Sequence, residues 1–384
     1  MTKKEFIIFS GYYLPGYKAG GILKAVSNFV INLKDKMNLS VVTRDRDLGS
    51  DAQYSNIETD KWTNVNGVPV FYLSKNIFNF FHIKFFFNSS KKTEFFFNSF
   101  FEHFTVFYFI NYFFWLRFFD EKKIFLAPRG EFADASFNIR KTKKKIYLFV
   151  FKLIYNPDLV HWIFTDKSEL DDLNSKLSIQ INNSSIIKDL PEISPFKHVE
   201  FNIDKTSNNL DIVYISRISP EKNLDLALKI INKINIPIKF DIYGPIGDLN
   251  YWKRCKSIIK SMNSDCVEYK GSLEPNEVPT IFSKYHLYLN PTGGENYGYT
   301  IVESLLQGTP ILLSDKTPWN DLEQNGWGWN VPLEDIEGFK EKIENNFKNI
   351  ILIDKSKRIK IRKSFIKKLN LDKLINNYLN IFGK

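Results

Sequence analysis

The chain has 384 residues, of which 43% are hydrophobic and 25% are charged, and its formal net charge is +10. That length allows two domains with full cores, and the charge favours an anionic partner such as a phosphate ligand, an anionic lipid or a nucleic acid. The two cysteines, Cys255 and Cys266, argue against a disulfide framework or a cysteine metal cluster and indicate a reducing compartment. No apolar run reaches the roughly 20 residues of a membrane span or resembles a signal peptide, so we expect a cytoplasmic protein.

Short apolar runs separated by glycine-containing loops predict alternating strands and helices in the first half of the chain. Residues 6–9 predict a buried first strand, and residues 22–33 predict the first helix. Gly20 and Gly21 lie between them, where backbone amides can approach an anion at the start of the helix. The pattern is not GxGxxG, so nicotinamide or flavin binding has weak support. A plain glycine turn is the alternative.

Residues 76–119 hold 18 of the 36 phenylalanines. One interpretation is an apolar surface for a lipid-linked acceptor or for the bilayer interface. The other, which we favour, is a general bias in composition. A basic run follows on a predicted helix, for which a solvated face is the default and anionic lipid the alternative. Its members are Arg140, Lys141, Lys143, Lys144 and Lys145.

A further buried strand, residues 124–127, leads into Pro128-Arg129-Gly130-Glu131. Residues 186–209 then break the periodicity, contain two prolines and are rich in polar residues, which indicates an interdomain connection. We therefore predict a first domain over residues 1–188, a linker over 189–209 and a second domain over 210–365, followed by a final segment, 366–384.

The second half repeats the strand-loop-helix pattern. The strand 211–215 ends in a loop that carries Arg217 and Lys222, which can converge on one anionic group such as a diphosphate. Isolated surface charges are the alternative. The strand 238–243 leads to Gly244-Pro245, and residues 267–269 lead through Tyr269 to another glycine.

The stretch 287–313 predicts a βαβ unit. An apolar run, a glycine loop, a helix from Tyr299 and a second apolar run follow one another, which places the loop at the carboxyl edge of a parallel sheet, where α/β proteins bind ligands. Glu295 lies in that loop and Glu303 on the first turns of the helix. Because all these loops lie at one edge, we expect them to line one ligand crevice.

Taken together, these residues resemble the retaining glycosyltransferases of family 4, also called group 1, which have the GT-B fold. Glu295 and Glu303 match that family's E-x7-E motif, and Arg217 and Lys222 match its R-x4-K pair. Gly244-Pro245 matches the loop beside the nucleotide, and Gly20-Gly21 the glycine loop that faces the donor phosphates. Pro318-Trp319 and Gly326-Trp327-Gly328 recur in members that build bacterial surface polysaccharides. The resemblance implies an α/β protein whose two Rossmann-like domains face each other across a donor-binding crevice. It implies that the N-terminal domain, 1–188, lies on the acceptor side and that the C-terminal domain, 210–365, binds the nucleotide sugar. The final helix, 366–384, would pack back on the N-terminal domain.

The resemblance also implies roles for individual residues. Arg217 and Lys222 would neutralise the diphosphate as the sugar leaves, and Glu303 would hold the ribose hydroxyls. Glu295 would accept hydrogen bonds from sugar hydroxyls. Asn296, Tyr297 and Gly298 would offer backbone amides to sugar or phosphate. Family members usually need no metal, so we expect no cofactor besides the nucleotide sugar, UDP- or GDP-linked, as co-substrate.

One position departs from the family. Where many members have Pro-His-Gly, this chain has Pro128-Arg129-Gly130. An arginine cannot act as a general base near neutral pH, but it can bind a donor hydroxyl, a phosphate or an acidic acceptor. The leaving phosphate can deprotonate the acceptor in enzymes of this type. Glu131 is a weaker candidate, and an ordinary surface carboxylate is the alternative.

The resemblance therefore implies a retaining hexosyltransferase that acts on a saccharide acceptor, which we expect to be lipid-linked, in O-antigen, capsule or exopolysaccharide assembly. We expect peripheral contact with an anionic membrane and no nucleic-acid partner. The alternatives are a GT-B-fold epimerase or phosphorylase and a non-enzymatic basic protein that binds membrane or nucleic acid. Residues 355–368 include eight basic residues, so that this helix could lie on anionic lipid or pack against the protein.

Overall fold

The chain divides into two units, Met1–Leu190 with Asp372–Lys384 and Pro191–Leu371, in the computed structural model. The structure describes residues 4–75, 93–114, 123–138, 140–198, 200–201, 208–262 and 265–383. Among these residues, no helix is both long enough and apolar enough to cross a membrane. The predicted break at residue 366 differs from this division, because the helix that contains it continues to Leu369 within the second unit.

The first unit is built on a largely parallel sheet. Its described strands are β1 (Glu5–Phe9), β2 (Asn38–Arg44), β3 (Trp62–Val65), β4 (Val68–Leu73), β5 (Thr93–Phe97), β6 (Ile124–Leu126), β7 (Val160–Phe164) and β8 (Ser184–Ile186). They lie in the order β3-β4-β2-β1-β5-β6-β7-β8, and only the β3–β4 pair is antiparallel among these described strands. Strand order reverses between β1 and β5, so the ends of these two strands form a switch point where ligands bind in such folds.

Five described α-helices from the first 190 residues accompany this sheet: α1 (Gly21–Leu33), α2 (His103–Phe114), α3 (Asp134–Phe137), α4 (Lys141–Ile154) and α5 (Lys167–Leu177). Strands β5 and β6 are buried along their whole length, as expected for a parallel sheet covered on both faces. Described phenylalanines of the Phe-rich segment belong to this core: Phe95, Phe96, Phe97, Phe100, Phe104, Phe107 and Phe109. For these side chains the lipid-surface interpretation is wrong, because they fill the interior. Residues 76–92 and 115–122 lie outside the described residues.

The second unit contains a parallel sheet of six described strands. They are β9 (Leu210–Ile215), β10 (Ile238–Tyr243), β11 (Val267–Gly271), β12 (Leu287–Asn290), β13 (Ile311–Ser314) and β14 (Gly328–Val331). Their order, β11-β10-β9-β12-β13-β14, is that of a Rossmann sheet. The switch point lies between β9 and β12, which pair directly through Tyr288 and Val213.

The described helices of this unit are α6 (Leu224–Asn232), α7 (Leu249–Ser261), α8 (Val278–Lys284), α9 (Tyr299–Leu306), α10 (Leu322–Asn325), α11 (Ile336–Asn345), α12 (Phe347–Ile351) and α13 (Lys355–Leu369). The predicted fold class, α/β with two Rossmann-like domains, is confirmed.

The two C-terminal helices have different partners. On α13, Ile361 and Phe365 are buried, and the ring of Phe365 lies 5.1 Å from that of Trp327. The apolar side of this basic helix is therefore used for packing within the second unit. The last helix, α14 (Leu371–Phe382), instead packs on the first unit, where Phe382 stacks on Phe125 at 4.3 Å.

Candidate active site

A half-buried ion pair joins two loops at the switch point of the second unit. Lys222 lies on the loop after β9, and its Nζ donates to Oε1 of Glu295, on the loop after β12, over 2.7 Å. The side chains are 21% and 13% exposed, respectively. In a pair this shielded from water, removal of one partner leaves the other charge uncompensated.

Local hydrogen bonds fix the lysine loop. Residues Pro220–Lys222 form a 3₁₀ turn, and the buried Tyr214 hydroxyl donates to the Lys222 carbonyl over 2.9 Å. Asn223 follows in a left-handed conformation at φ 52° and starts α6. Its side-chain amide donates to the carbonyl of Pro291 over 3.1 Å. The residue after the R-x4-K pair thus ties the lysine loop to the glutamate loop.

Backbone hydrogen bonds from two neighbouring loops hold the glutamate loop in place. The Gly293 amide donates to the carbonyl of Glu221, and the Glu295 amide donates to the carbonyl of Lys316, over 3.0 and 3.3 Å. Within the loop, the Thr292 hydroxyl lies 3.0 Å from the carbonyl of Gly294. Glu295 is therefore held by backbone contacts to the loops after β9 and β13 as well as by Lys222.

The two glutamates of the E-x7-E motif lie near one buried hydroxyl. Tyr288 is fully buried, and its hydroxyl lies 3.1 Å from the Ile215 carbonyl and 3.0 Å from Oγ1 of Thr300. Burial raises the pKa of Tyr288 far above its ordinary value, and the charges of Glu295 and Glu303 raise it further. Glu295 thus lies on the loop after β12 and Glu303 on α9, as predicted, and both charges act on the Tyr288 hydroxyl.

The remaining residues of the motif build the helix start. Gly298 precedes α9 at φ 75°, which favours glycine. The ring of Tyr297 is buried against Tyr299 at 4.9 Å, and its carbonyl accepts from Nε1 of Trp319 over 2.6 Å. The Tyr297 side chain thus serves packing, and Asn296 beside it is half-buried.

The loop after β10 lies against the arginine loop. Gly244 has φ 143°, and a Cβ added there would stand 1.8 Å from the Ser216 carbonyl oxygen, immediately before Arg217. The Tyr269 hydroxyl donates to the Gly244 carbonyl over 2.9 Å. The Pro245 carbonyl accepts from the Ile218 amide, also over 2.9 Å. The predicted substrate residues Gly244, Pro245 and Tyr269 therefore position the backbone around Arg217.

In the first unit, the glycine loop lies at the carboxyl end of β1. Gly20 caps α1 at φ 64°. Asp47 accepts from the amides of Tyr17 and Lys18 over 2.9 and 3.1 Å, and it thereby holds the segment before Gly20. Gly21, the first residue of α1, is exposed. The loop has the form that the sequence predicted, and its contact with donor phosphates stays a prediction.

Arg129 lies at the same edge of the first sheet, but its guanidinium is used within the protein. It pairs with Asp189, and its Nε donates to Oδ1 of Asn98 over 2.7 Å, with 6% of the side chain exposed. Asn98 in turn donates to the carbonyl of Ile22 in α1 over 2.9 Å. The arginine thus connects the ends of β5, β6 and β8 with the glycine loop's helix, and its binding of substrate stays a prediction.

Two carboxylates, the buried Glu169 and the half-buried Glu131, support this arrangement. Glu169 accepts from the Gly130 amide over 2.6 Å, and burial raises the pKa of Glu169 to about 7 although its hydrogen bonds lower it. Glu131 accepts from Oγ of Ser99 and from the Phe100 amide, both over 2.6 Å. Burial also raises the pKa of Glu131. The alternative of a surface carboxylate at Glu131 is therefore wrong, because this group anchors the loop after β5.

The sequence missed several residues that build these edges: Asn98, Asp189, Asn223 and Thr292. Asn98 and Thr292 follow closely on apolar strands, and Asn223 follows the R-x4-K pair. These positions could have identified the three residues, whereas Asp189 has no such signal. Among the described residues, no three His, Cys, Asp or Glu side chains are grouped so that they could hold a metal ion.

Gly244→Ala tests how tightly the β10 loop is packed. We expect it to lower the free energy of unfolding by about 3 kcal/mol, because the new methyl group would overlap the Ser216 backbone at a positive φ. Urea unfolding followed by circular dichroism measures this. Gly294→Ala is the matched control, since a Cβ there meets no atom within 4 Å. Equal stability of the two variants would contradict the assigned packing.

Comparisons with known proteins agree with this architecture. Residues 196–365 match the family model of the glycosyl transferases group 1. A protein of 41.2 kDa in the cps region of Klebsiella pneumoniae is 21% identical over 63% of this chain and 66% of its own length. The GtfA subunit of a UDP-N-acetylglucosamine–peptide N-acetylglucosaminyltransferase from Streptococcus agalactiae is 27% identical over 31% of this chain. The chain covers only 24% of that relative.

Among solved structures, Anabaena HepE in complex with UDP and glucose is similar over 100% of both chains, with a TM-score of 0.72 and 12% identity. This similarity is one of fold, and it extends over both units. Residues 196–365 are therefore similar to the glycosyl transferases group 1, and the chain has the GT-B fold.

Proposed function

We propose that the chain is a retaining glycosyltransferase that moves a hexosyl group from a nucleoside diphosphate sugar to a saccharide acceptor. The observation that carries this proposal is the Lys222–Glu295 ion pair at the switch point of the second sheet. It brings a cation suited to a diphosphate within 2.7 Å of a carboxylate suited to sugar hydroxyls. The family match of residues 196–365 supports the same activity.

The electrostatics suit departure of a diphosphate. During transfer, the bond between the anomeric carbon and the phosphate oxygen breaks, and its electron pair stays on that oxygen. Arg217 and Lys222 would stabilise this developing charge from a site whose backbone is already fixed, so little reorganisation is needed at the moment of reaction. The leaving phosphate would accept the proton of the attacking acceptor hydroxyl.

The two glutamates would hold the donor. A carboxylate offers roughly four acceptor positions, and Lys222 occupies one of those on Glu295. The others would receive hydrogen bonds from sugar hydroxyls, and the backbone amides of residues 296–298 would bind sugar or phosphate. Glu303 would hold the ribose. Because Lys222 fixes the rotamer of Glu295, donor binding would cost little conformational freedom.

Donor and acceptor are proposed from the relatives. The HepE structure contains UDP and glucose, and the streptococcal relative acts with UDP-N-acetylglucosamine. We therefore propose UDP-sugars first and GDP-sugars second. The relative encoded in a cps region supports a role in surface polysaccharide assembly, for which a lipid-linked saccharide is our proposed acceptor. Gly20, Gly21 and Arg129 are the residues of the first unit that we propose for substrate binding.

Substitution of Glu295 tests the central assignment. We expect Glu295→Ala to reduce transfer at least about a hundredfold, since the sugar contacts are lost and Lys222 is left without this partner. The measurement is transfer or hydrolysis of radiolabelled UDP- and GDP-sugars. Glu323→Ala, which removes an exposed carboxylate of α10, is the control and should retain the full rate. An unchanged rate in Glu295→Ala would refute the role, and turnover of no donor would refute the activity.

Metal removal tests the charge assignment. We propose that no metal is needed, because Arg217 and Lys222 supply the positive charge at the diphosphate. Transfer rates measured after dialysis against EDTA should equal those with added Mg²⁺ or Mn²⁺. Loss of activity with EDTA and its recovery with a divalent cation would contradict this proposal.

A further inference from the structure

Helix α4 of the first unit carries an exposed apolar stripe. Ile146, Phe149 and Leu153 are 63%, 66% and 67% exposed, respectively. They are spaced by three and four residues, so that they lie along one face of the helix. Scattered apolar side chains on a surface are ordinary, but three large ones aligned on a helix mark an interaction face.

The opposite face of the helix already has its partners. Leu148 and Phe151 are buried, and the ring of Phe151 lies 4.9 Å from those of Phe100 and Phe109. Lys144 also turns inward, where its Nζ donates to the Ser136 carbonyl over 2.7 Å. The core therefore holds α4 through one side and leaves the stripe on the other.

Exposed lysines flank the stripe. With about 100° of rotation per residue, Lys141, Lys145 and Lys152 lie along one border of the stripe and Lys143 near the other. All four are exposed. The helix sequence, residues 141–154, contains no Asp or Glu. An apolar stripe with cationic borders is the pattern of a helix that lies in the plane of an anionic membrane interface.

We propose that α4 docks the protein on an anionic lipid surface, with Ile146, Phe149 and Leu153 inserted between acyl chains and the lysines at the headgroups. Charge complementarity favours this occupant over a second copy of the chain, because a symmetric contact would bring two sets of lysines together. Nucleic acid would leave the three apolar side chains without apolar partners. The helix has 14 residues, too few to span a bilayer.

Helix α13 provides a matched comparison. It is more basic than α4, but its apolar residues Ile361 and Phe365 are buried within the second unit. Its exposed lysines, among them Lys360, Lys363 and Lys367, therefore have charge without an apolar stripe. Binding that depends on net charge alone would involve both α4 and α13, whereas the proposed docking requires only α4.

The test is flotation of the full chain with vesicles of phosphatidylcholine alone or with roughly one third phosphatidylglycerol. We expect binding to the anionic vesicles only. The triple variant Ile146→Ser/Phe149→Ser/Leu153→Ser should bind at least about tenfold more weakly, with an unchanged thermal unfolding transition because these side chains are exposed. The variant Lys141→Gln/Lys145→Gln/Lys152→Gln should lose vesicle binding by a similar factor. It tests the proposal even if the serine variant does not fold.

The control variant, Lys360→Gln/Lys363→Gln/Lys367→Gln, removes the same charge from α13 and should bind as the unmodified chain does. Three outcomes would overturn the proposal. The unmodified chain binds both vesicles equally or neither, the α4 variants bind as well as the control, or the serine variant abolishes self-association in light scattering. The last result would identify a second copy as the occupant.

Discussion

The ion pair between Lys222 and Glu295 joins the two loops on which the proposed chemistry depends. Its geometry is fixed by its surroundings, since both side chains are largely shielded from water and backbone hydrogen bonds hold the two loops. Asn223 and Gly293 link the loops independently of the charges. The charged groups are therefore held in place before any ligand arrives, which is the condition for efficient electrostatic stabilisation.

The sequence predicted this half of the molecule well because its signals are local. Apolar strands, glycine loops and charged residues directly after strand ends identify a parallel sheet and its ligand edge without knowledge of long-range contacts. Gly244 and Gly298 were recognisable for the same reason, because each marks a backbone conformation that other residues rarely adopt. The direct pairing of Lys222 with Glu295 depends on residues 73 positions apart, and spacing alone could not establish it.

In the first unit, several contacts could not be predicted from local sequence signals. Arg129 was predicted to bind substrate, which stays a prediction, but the sequence did not show that its guanidinium contacts Asp189 and Asn98. Asp189 lay in the predicted linker, so that nothing in the sequence connected it with the arginine 60 positions earlier. The Phe-rich segment gave a similar difficulty, because composition does not distinguish core phenylalanines from exposed ones. The same limit applies to α4 and α13, two basic helices of similar pattern whose apolar faces differ only in tertiary packing.

We propose that four residues of the second unit act together to hold a donor and to stabilise its departing diphosphate. They are Glu295, Glu303, Arg217 and Lys222. A double-mutant cycle with Lys222→Met and Glu295→Gln, measured as kcat/KM for the preferred nucleotide sugar, tests this claim most directly. We expect the double variant to lose about as much activity as the worse single variant, because each substitution already disrupts the shared arrangement. If the losses in kcat/KM of the two single variants multiply in the double variant, the two residues act independently, which would contradict the proposed shared arrangement.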